Sequence, residues 1–125
     1  MATPKANANG HRRRQVRKRV LAEEYVCALC DKPVDKTLGF IRGSHGPRCK
    51  NPECTGCVPH PLRPEVDEDI PRSRGGSPYD RANTRLMHRA CNRAKGTMTL
   101  AEAREKLAVG LARQARRVIT NLIDW

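Results

Sequence analysis

Apolar positions along this chain fall into two stretches of helical spacing, separated by a long region with no period at all. Near the N-terminus Val16, Val20 and Leu21 form a narrow apolar seam among Arg12, Arg13, Arg14, Arg17, Lys18 and Arg19, which predicts a basic helix over residues 11–24. At the other end Leu100, Ala103, Leu107, Leu111, Ala115, Val118 and Leu122 recur on one face, with Arg104, Lys106, Arg113, Arg116 and Arg117 mostly on the others. That pattern predicts a helix over residues 99–123 with a packing stripe, and Thr99-Leu100-Ala101-Glu102 is a capping box at its start. Residues 1–10, rich in Ala, Asn and Pro without a period, are expected to be disordered.

The middle is punctuated rather than periodic. Residues 27–33 look like a tight knuckle. From 35 to 64 the chain carries Gly39, Gly43, Gly46, Pro47, Pro52, Gly56, Pro59, Pro61 and Pro64, a density of breakers that predicts a long loop. A loop of that length in a small domain is expected to be functional or pinned by metal, and it carries Cys49, Cys54 and Cys57. Residues 65–70 can form a short strand ended by Pro71, Gly75-Gly76-Ser77-Pro78 signals a turn, and residues 83–95 suit a helix closed by Gly96. The expected organisation is therefore one α+β domain over residues 11–125.

Composition sharpens this. With 125 residues, 38% hydrophobic and 3% aromatic, the core must be small, and small cores usually need a metal or disulfides. The start of the chain is polar and then arginine-rich, with no signal peptide and no membrane-length apolar run, so an intracellular, non-secreted protein with reduced thiols is expected. The six cysteines then read as zinc ligands before disulfides. A net charge of +12 favours nucleic acid or an anionic membrane surface as partner, and of the two nucleic acid is expected and no membrane. Too few rings are present to stack single strands, so contact with the duplex backbone fits better.

Candidate chemistry concentrates between Asp67 and Asn92. Asp67 and Glu68 end the expected strand, and a four-residue spacing would put His88 and Asn92 on one helix face. Carboxylate, imidazole and amide oxygen together suit a divalent ion such as magnesium, manganese or zinc. The cysteines allow two zinc arrangements. In one, Cys27, Cys30, His88 and Cys91 share an ion, while Cys49, Cys54, Cys57 and either His45 or His60 hold a second. In the other, slightly preferred because it frees His88, Cys27, Cys30, Cys54 and Cys57 make a single site; Cys91 is then a small buried residue and Cys49 is unexplained. Arg72, Arg74, Arg85, Arg89, Arg93 and Lys95 surround the expected metal centre as candidate phosphate contacts.

The run VDEDIPRSRGGSPYDRANTRLMHRACNRAKG resembles the HNH endonuclease motif, the ββα-metal nuclease fold, with Asp67, Ile70, Pro71, Gly75, Gly76, Asn83, His88, Cys91, Asn92, Lys95 and Gly96 in register. The resemblance is specific over about residues 58–97 and is to the small zinc-containing tailed-phage type. It implies an HNH core with a zinc-stapled loop and flanking helices. It further implies cleavage of double-stranded DNA with a catalytic divalent metal (Mg, Mn, Ni or Zn) on Asp67, Asn92 and His88, Asn83 pinning the loop, and a structural zinc. In zinc-stapled members the position of His88 instead pairs with that of Cys91. One departure stands out: the histidine that serves the family as general base is replaced here by Glu68, a weaker base at its ordinary pKa. Association with the phage terminase large subunit and portal during genome packaging, in the host cytoplasm, is likewise implied by the resemblance alone.

Overall fold

Helix α1 spans Pro4–Glu23 in the computed structural model, which describes residues 4–123. It starts earlier than expected, so residues 4–10 are helical rather than disordered. Proline is well suited to a first helical turn, and Ala6 and Ala8 are strong helix formers; Met1 to Thr3 lie outside the described residues. The apolar seam is real: Val20 is fully buried and Val16 and Leu21 pack against the core, while the arginines between them are exposed. The helix ends on Glu23 with no basic residue in its last turn, an unfavourable match to its dipole. Lys36 compensates by donating from Nζ to the Leu21 carbonyl at 2.6 Å.

The knuckle that follows closes through an isolated bridge between Val26 and Pro33, with Asp31 in the left-handed region at φ 61°. Two-residue strands β1 (Phe40–Ile41) and β2 (Val58–Pro59) then pair antiparallel inside the segment expected to be wholly irregular. Gly56 makes this pairing possible, since a Cβ there would lie 2.2 Å from the Ile41 carbonyl oxygen.

A second antiparallel pair is formed by β3 (Pro64–Glu68) and β4 (Thr84–His88), in the register Pro64–His88, Val66–Leu86 and Glu68–Thr84. Residues 84–88 were expected to begin a helix. They form a strand because Leu86 and Met87 bury fully against the core while their backbone completes the ladder, and this tertiary gain outweighs helix propensity. Only Arg89–Lys95 is helical (α2), closed by Gly96 at φ 54°.

Helix α3 spans Leu100–Ile123, and its capping box forms: Glu102 N donates to Thr99 Oγ1 at 3.2 Å and Thr99 N donates to Glu102 Oε2 at 3.3 Å. Leu100 and Ala103 are buried, and Arg104 Nε donates to the Ala28 carbonyl at 2.8 Å. Beyond that first turn the stripe is progressively uncovered among the described residues, from Leu107 at 39% exposure to Leu111, Val118 and Leu122 at more than half. At 1.5 Å per residue the helix outruns the small core. The result is a small α+β fold whose core gathers Val20, Cys27, Ala28, Leu29, Val34, Leu86, Met87, Leu100 and Ala103. No helix among the described residues is long and apolar enough to cross a membrane.

Candidate functional site

The end of β4 delivers His88 not to the acidic end of β3 but to the core knuckle. His88 is 5% exposed, and its Nδ1 lies 3.4 Å from Cys30 Sγ and 3.9 Å from Cys91 Sγ. Its Nε2 sits 3.1 Å from the Pro33 carbonyl, which can only accept, so Nε2 carries the proton and Nδ1 turns its lone pair to the thiols. That tautomer, fixed from behind by a carbonyl, is how a metal-ligating imidazole is held. Cys27, Cys30, His88 and Cys91 place one donor atom each within 4.8 Å of the others, and could hold a metal ion such as zinc.

The thiols report the same crowding. Burial, then the nearness of Cys27 and Cys30, pushes the Cys91 thiol up to about 12, a value that a cation among them would reverse. Burial also acts upward on Cys27, but the backbone amides of Cys30, His88 and Leu29 outweigh it and bring this thiol below its ordinary value. Amides pointing at a sulfur stabilise a thiolate.

His45, Cys49, Cys54 and Cys57 form a second group of donors within 4.8 Å of one another, in the loop between β1 and β2. The single four-cysteine site on Cys27, Cys30, Cys54 and Cys57 is therefore not what the fold assembles: each pair finds its partners in its own cluster. The sequence could not decide this because it does not show whether the loop folds back onto the knuckle. Cys49 and Cys91, left over in that scheme, each belong to a cluster. His60 stays outside, its Nδ1 accepting from the Leu62 amide at 3.0 Å.

His88 pairs with Pro64 in the ladder and Asp67 with Arg85, three positions further along, or ~10 Å of strand. The expected triad of Asp67, His88 and Asn92 is accordingly divided. Asp67 and Asn92 do meet the same helix–strand seam. Alternation puts Glu65 and Asp67 on the side of β3 that faces α2. There Asn92 Nδ2 donates to Glu65 Oε1 at 2.9 Å, Arg89 pairs with Glu65 Oε2 at 2.9 Å, and Lys95 Nζ lies 2.8 Å from Asp67 Oδ2. The last contact is close but poorly directed, for neither atom completes a hydrogen bond.

Glu68, the next residue of β3, lines a cleft of about 150 Å³ walled by α1 through Arg13, Arg14 and Arg17 and by Val66 and Thr84. Burial, then a hydrogen bond and the charge of neighbouring Asp67, raise its pKa above the ordinary carboxylate value, with Arg13 acting against them.

Asn83 spans the loop between the strands. Its Oδ1 accepts from Ile70 N at 2.9 Å, and its Nδ2 donates to the carbonyls of Ile70 at 3.1 Å and Ser77 at 3.2 Å. Gly76 completes the clamp, because a Cβ there would stand 1.7 Å from the Ile70 carbonyl oxygen.

The expected phosphate contacts separate into two kinds. Arg72 and Arg93 are exposed, and Arg74 is exposed while paired with Glu102 at 2.7 Å. Arg85 and Arg89 are half-buried and spent on Asp69 and Glu65. Lys95, at 1% exposure, is withdrawn from any external partner. Sequence reasoning missed Glu65, and it missed Glu24, whose Oε1 accepts from Leu86 N at 3.0 Å while Arg81 grips its Oε2 at 2.8 Å. The i, i+2 spacing of Glu65 and Asp67 was the available signal for the first. Nothing local announces the second.

Comparison of the chain with protein-family models, with characterised proteins and with solved structures finds no match.

Proposed function

We propose that the chain is a metal-dependent endonuclease of the HNH type acting on double-stranded DNA. The observation that carries the reading is the pairing, at one end of β3, of an oxygen-rich seam with an arginine-walled cleft. Asp67 and Asn92 line the seam with Glu65 and Lys95, and Glu68 opens into the cleft. The Asn83 clamp supports it, since that is the role the sequence resemblance gives this residue.

The donor types suit a hard divalent ion, a carboxylate beside an amide whose nitrogen is committed to Glu65, and an ion on Asp67 Oδ2 would displace Lys95 Nζ, which stands 2.8 Å from it. Asp67 and Asn92 would hold it, and when bound it supplies Lewis-acid stabilisation of charge on a scissile phosphate. Glu68 stands where a proton must be taken from water, and its raised pKa makes it a better base than an ordinary carboxylate. Arg13, Arg14 and Arg17 hold phosphates beside it. His88 works in the fold, with Cys27, Cys30 and Cys91 around a structural zinc. Genome packaging beside a phage terminase and portal is the setting this activity would serve.

A second reading is a zinc-stabilised DNA-binding module without catalysis, favoured by one contact: Lys95 already neutralises Asp67. Supercoiled plasmid separates the two. Wild type with Mg²⁺, Mn²⁺, Ni²⁺ or Zn²⁺ is expected to nick, and Asn92→Ala and Glu68→Ala to lose nicking while still shifting DNA on a gel. Gel shift without nicking by wild type in any of these metals would leave the binding module standing.

A further inference from the structure

We propose that His45, Cys49, Cys54 and Cys57 bind a second zinc ion, which folds the β1–β2 loop as a unit separable from the rest of the chain. Three observations lead there. The first is the donor set: three thiols and an imidazole within 4.8 Å of one another, spaced His-x3-Cys-x4-Cys-x2-Cys, meet the number and softness of ligands that a closed zinc site requires. At a Zn–S distance of about 2.3 Å, tetrahedral sulfurs stand ~3.8 Å apart, within that spread. A disulfide would use two of the thiols and leave a cysteine and a histidine facing it unexplained.

The second observation is the backbone. Cys49 N donates to the Gly46 carbonyl at 3.1 Å and Cys54 N to the Asn51 carbonyl at 3.2 Å, successive tight turns that aim the sulfurs to one side. Gly46 N in turn donates to Cys57 Sγ at 3.4 Å, and His45 Nδ1 lies 3.5 Å from Cys49 Sγ.

The third is what the segment lacks. No residue from Asp35 to Arg63 is buried, and the only regular structure is the two-residue pairing of β1 with β2. Ordering a stretch of that length costs backbone entropy at every residue, and only partly buried apolar side chains such as Leu38, Ile41 and Val58 offset it. A structural zinc supplies binding free energy that becomes folding free energy for the segment that carries its ligands. All four ligands lie within residues 45–57, so the ion ties the loop only to itself. The core cluster differs, joining the knuckle at residues 27–30 to residues 88–91 across the domain. Emptying the loop site should therefore melt the loop and spare the core.

The full chain, stripped of metal under reducing conditions, is titrated with Co²⁺ and then Zn²⁺, reading the visible d–d and thiolate bands; native mass spectrometry counts ions. Counted by the thiolate-to-cobalt band, which an ion on Asp67 and Asn92 would not raise, wild type is expected to saturate at two equivalents and Cys54→Ser at one. Hydrogen exchange in Cys54→Ser should rise over residues 39–60 and stay unchanged in α1, β4 and α3. A wild-type endpoint of one equivalent overturns the second site. Global loss of protection in Cys54→Ser, with two equivalents in wild type, overturns the separability. Neither readout involves DNA or cleavage, so the result stands apart from the nuclease reading.

Discussion

Replacing His88 tests whether this residue serves the fold or the chemistry. In His88→Ala the part-buried hydrogen bond to the Pro33 carbonyl is lost, about 0.5–1.5 kcal/mol net because Pro33 is exposed and water can replace the donor. Truncating a side chain that is 5% exposed leaves a cavity on the order of 2–4 kcal/mol. Removal of an outer-shell partner alone weakens metal binding ~10–100-fold, and loss of a ligand weakens it further. Together these reach the 5–15 kcal/mol that stabilise a typical domain. His88→Ala is therefore expected to lose its core zinc and to melt at least ~10 °C lower, at ~4 °C or more per kcal/mol in a small domain. His88→Cys restores four ligands and should recover the melting temperature, the zinc and plasmid nicking alike. Differential scanning fluorimetry, metal analysis and the nicking assay run on both variants read this out. A His88→Cys protein that folds and keeps its zinc but no longer nicks would refute the assignment, for His88 would then belong to the catalytic ion. Unaltered zinc and melting in His88→Ala would refute it from the other side.

Asn83→Ala removes three hydrogen bonds that fix the turn before β4. At ~1 kcal/mol net each it should lower stability by about 2–4 kcal/mol in urea titration, and a change below ~0.5 kcal/mol would mean the loop holds its shape without the clamp. Glu68 has a raised folded pKa from burial and from Asp67, so its stabilising contribution is full below its unfolded pKa and is lost as pH rises through the folded value. Glu68→Gln, without added divalent metal, should thus melt higher than wild type near pH 7.5 and converge with it near pH 4; an equal gap at both pH values contradicts the shift. Arg13→Ala, Arg14→Ala and Arg17→Ala should each weaken duplex binding about equally across sequences and reduce the slope of log K against log salt by roughly 1. An unchanged slope in all three would remove the cleft below α1 from the DNA interface.

What the sequence made legible was whatever local spacing encodes. The seam of Val16, Val20 and Leu21, the capping box at Thr99, the Gly75–Gly76 turn and the clustering of donors near cysteines all belong to that kind. Partner choice among those donors was not legible, because it depends on where a segment free of core residues folds back. The knuckle at Cys27 and Cys30 is set against β4 by the Ala28 N to Leu86 O bond at 2.9 Å, which brings it to His88 and Cys91 rather than to Cys54 and Cys57. The strand at residues 84–88 was hidden for a related reason: Arg85, Leu86 and Met87 suit a helix by propensity and are drawn into a ladder by burial. On α3 the opposite happened, as a stripe with packing periodicity is left largely uncovered by the described residues past Leu107.

The charges along β3 narrow where the chemistry can sit. Four acids follow within five positions, and three have a cation of their own: Glu65 has Arg89, Asp67 has Lys95 and Asp69 has Arg85. Among the described residues Glu68 has no such pair, and it alone opens into the cleft below α1. In a chain of net charge +12 an unpaired carboxylate at a half-buried position is not forced by any shortage of arginine. Arg13 acts on it electrostatically yet does not close an ion pair, which in the proposed nuclease would leave the carboxylate free to accept a proton and the guanidinium free to meet a phosphate. Neutralising Asp67 from behind with the buried Lys95 then has a second effect, because it limits how far the two adjacent acids repel. In the proposed nuclease the carboxylate that takes the place of a histidine is thus lifted by burial and by the neighbouring Asp67, while Arg13 acts against that lift.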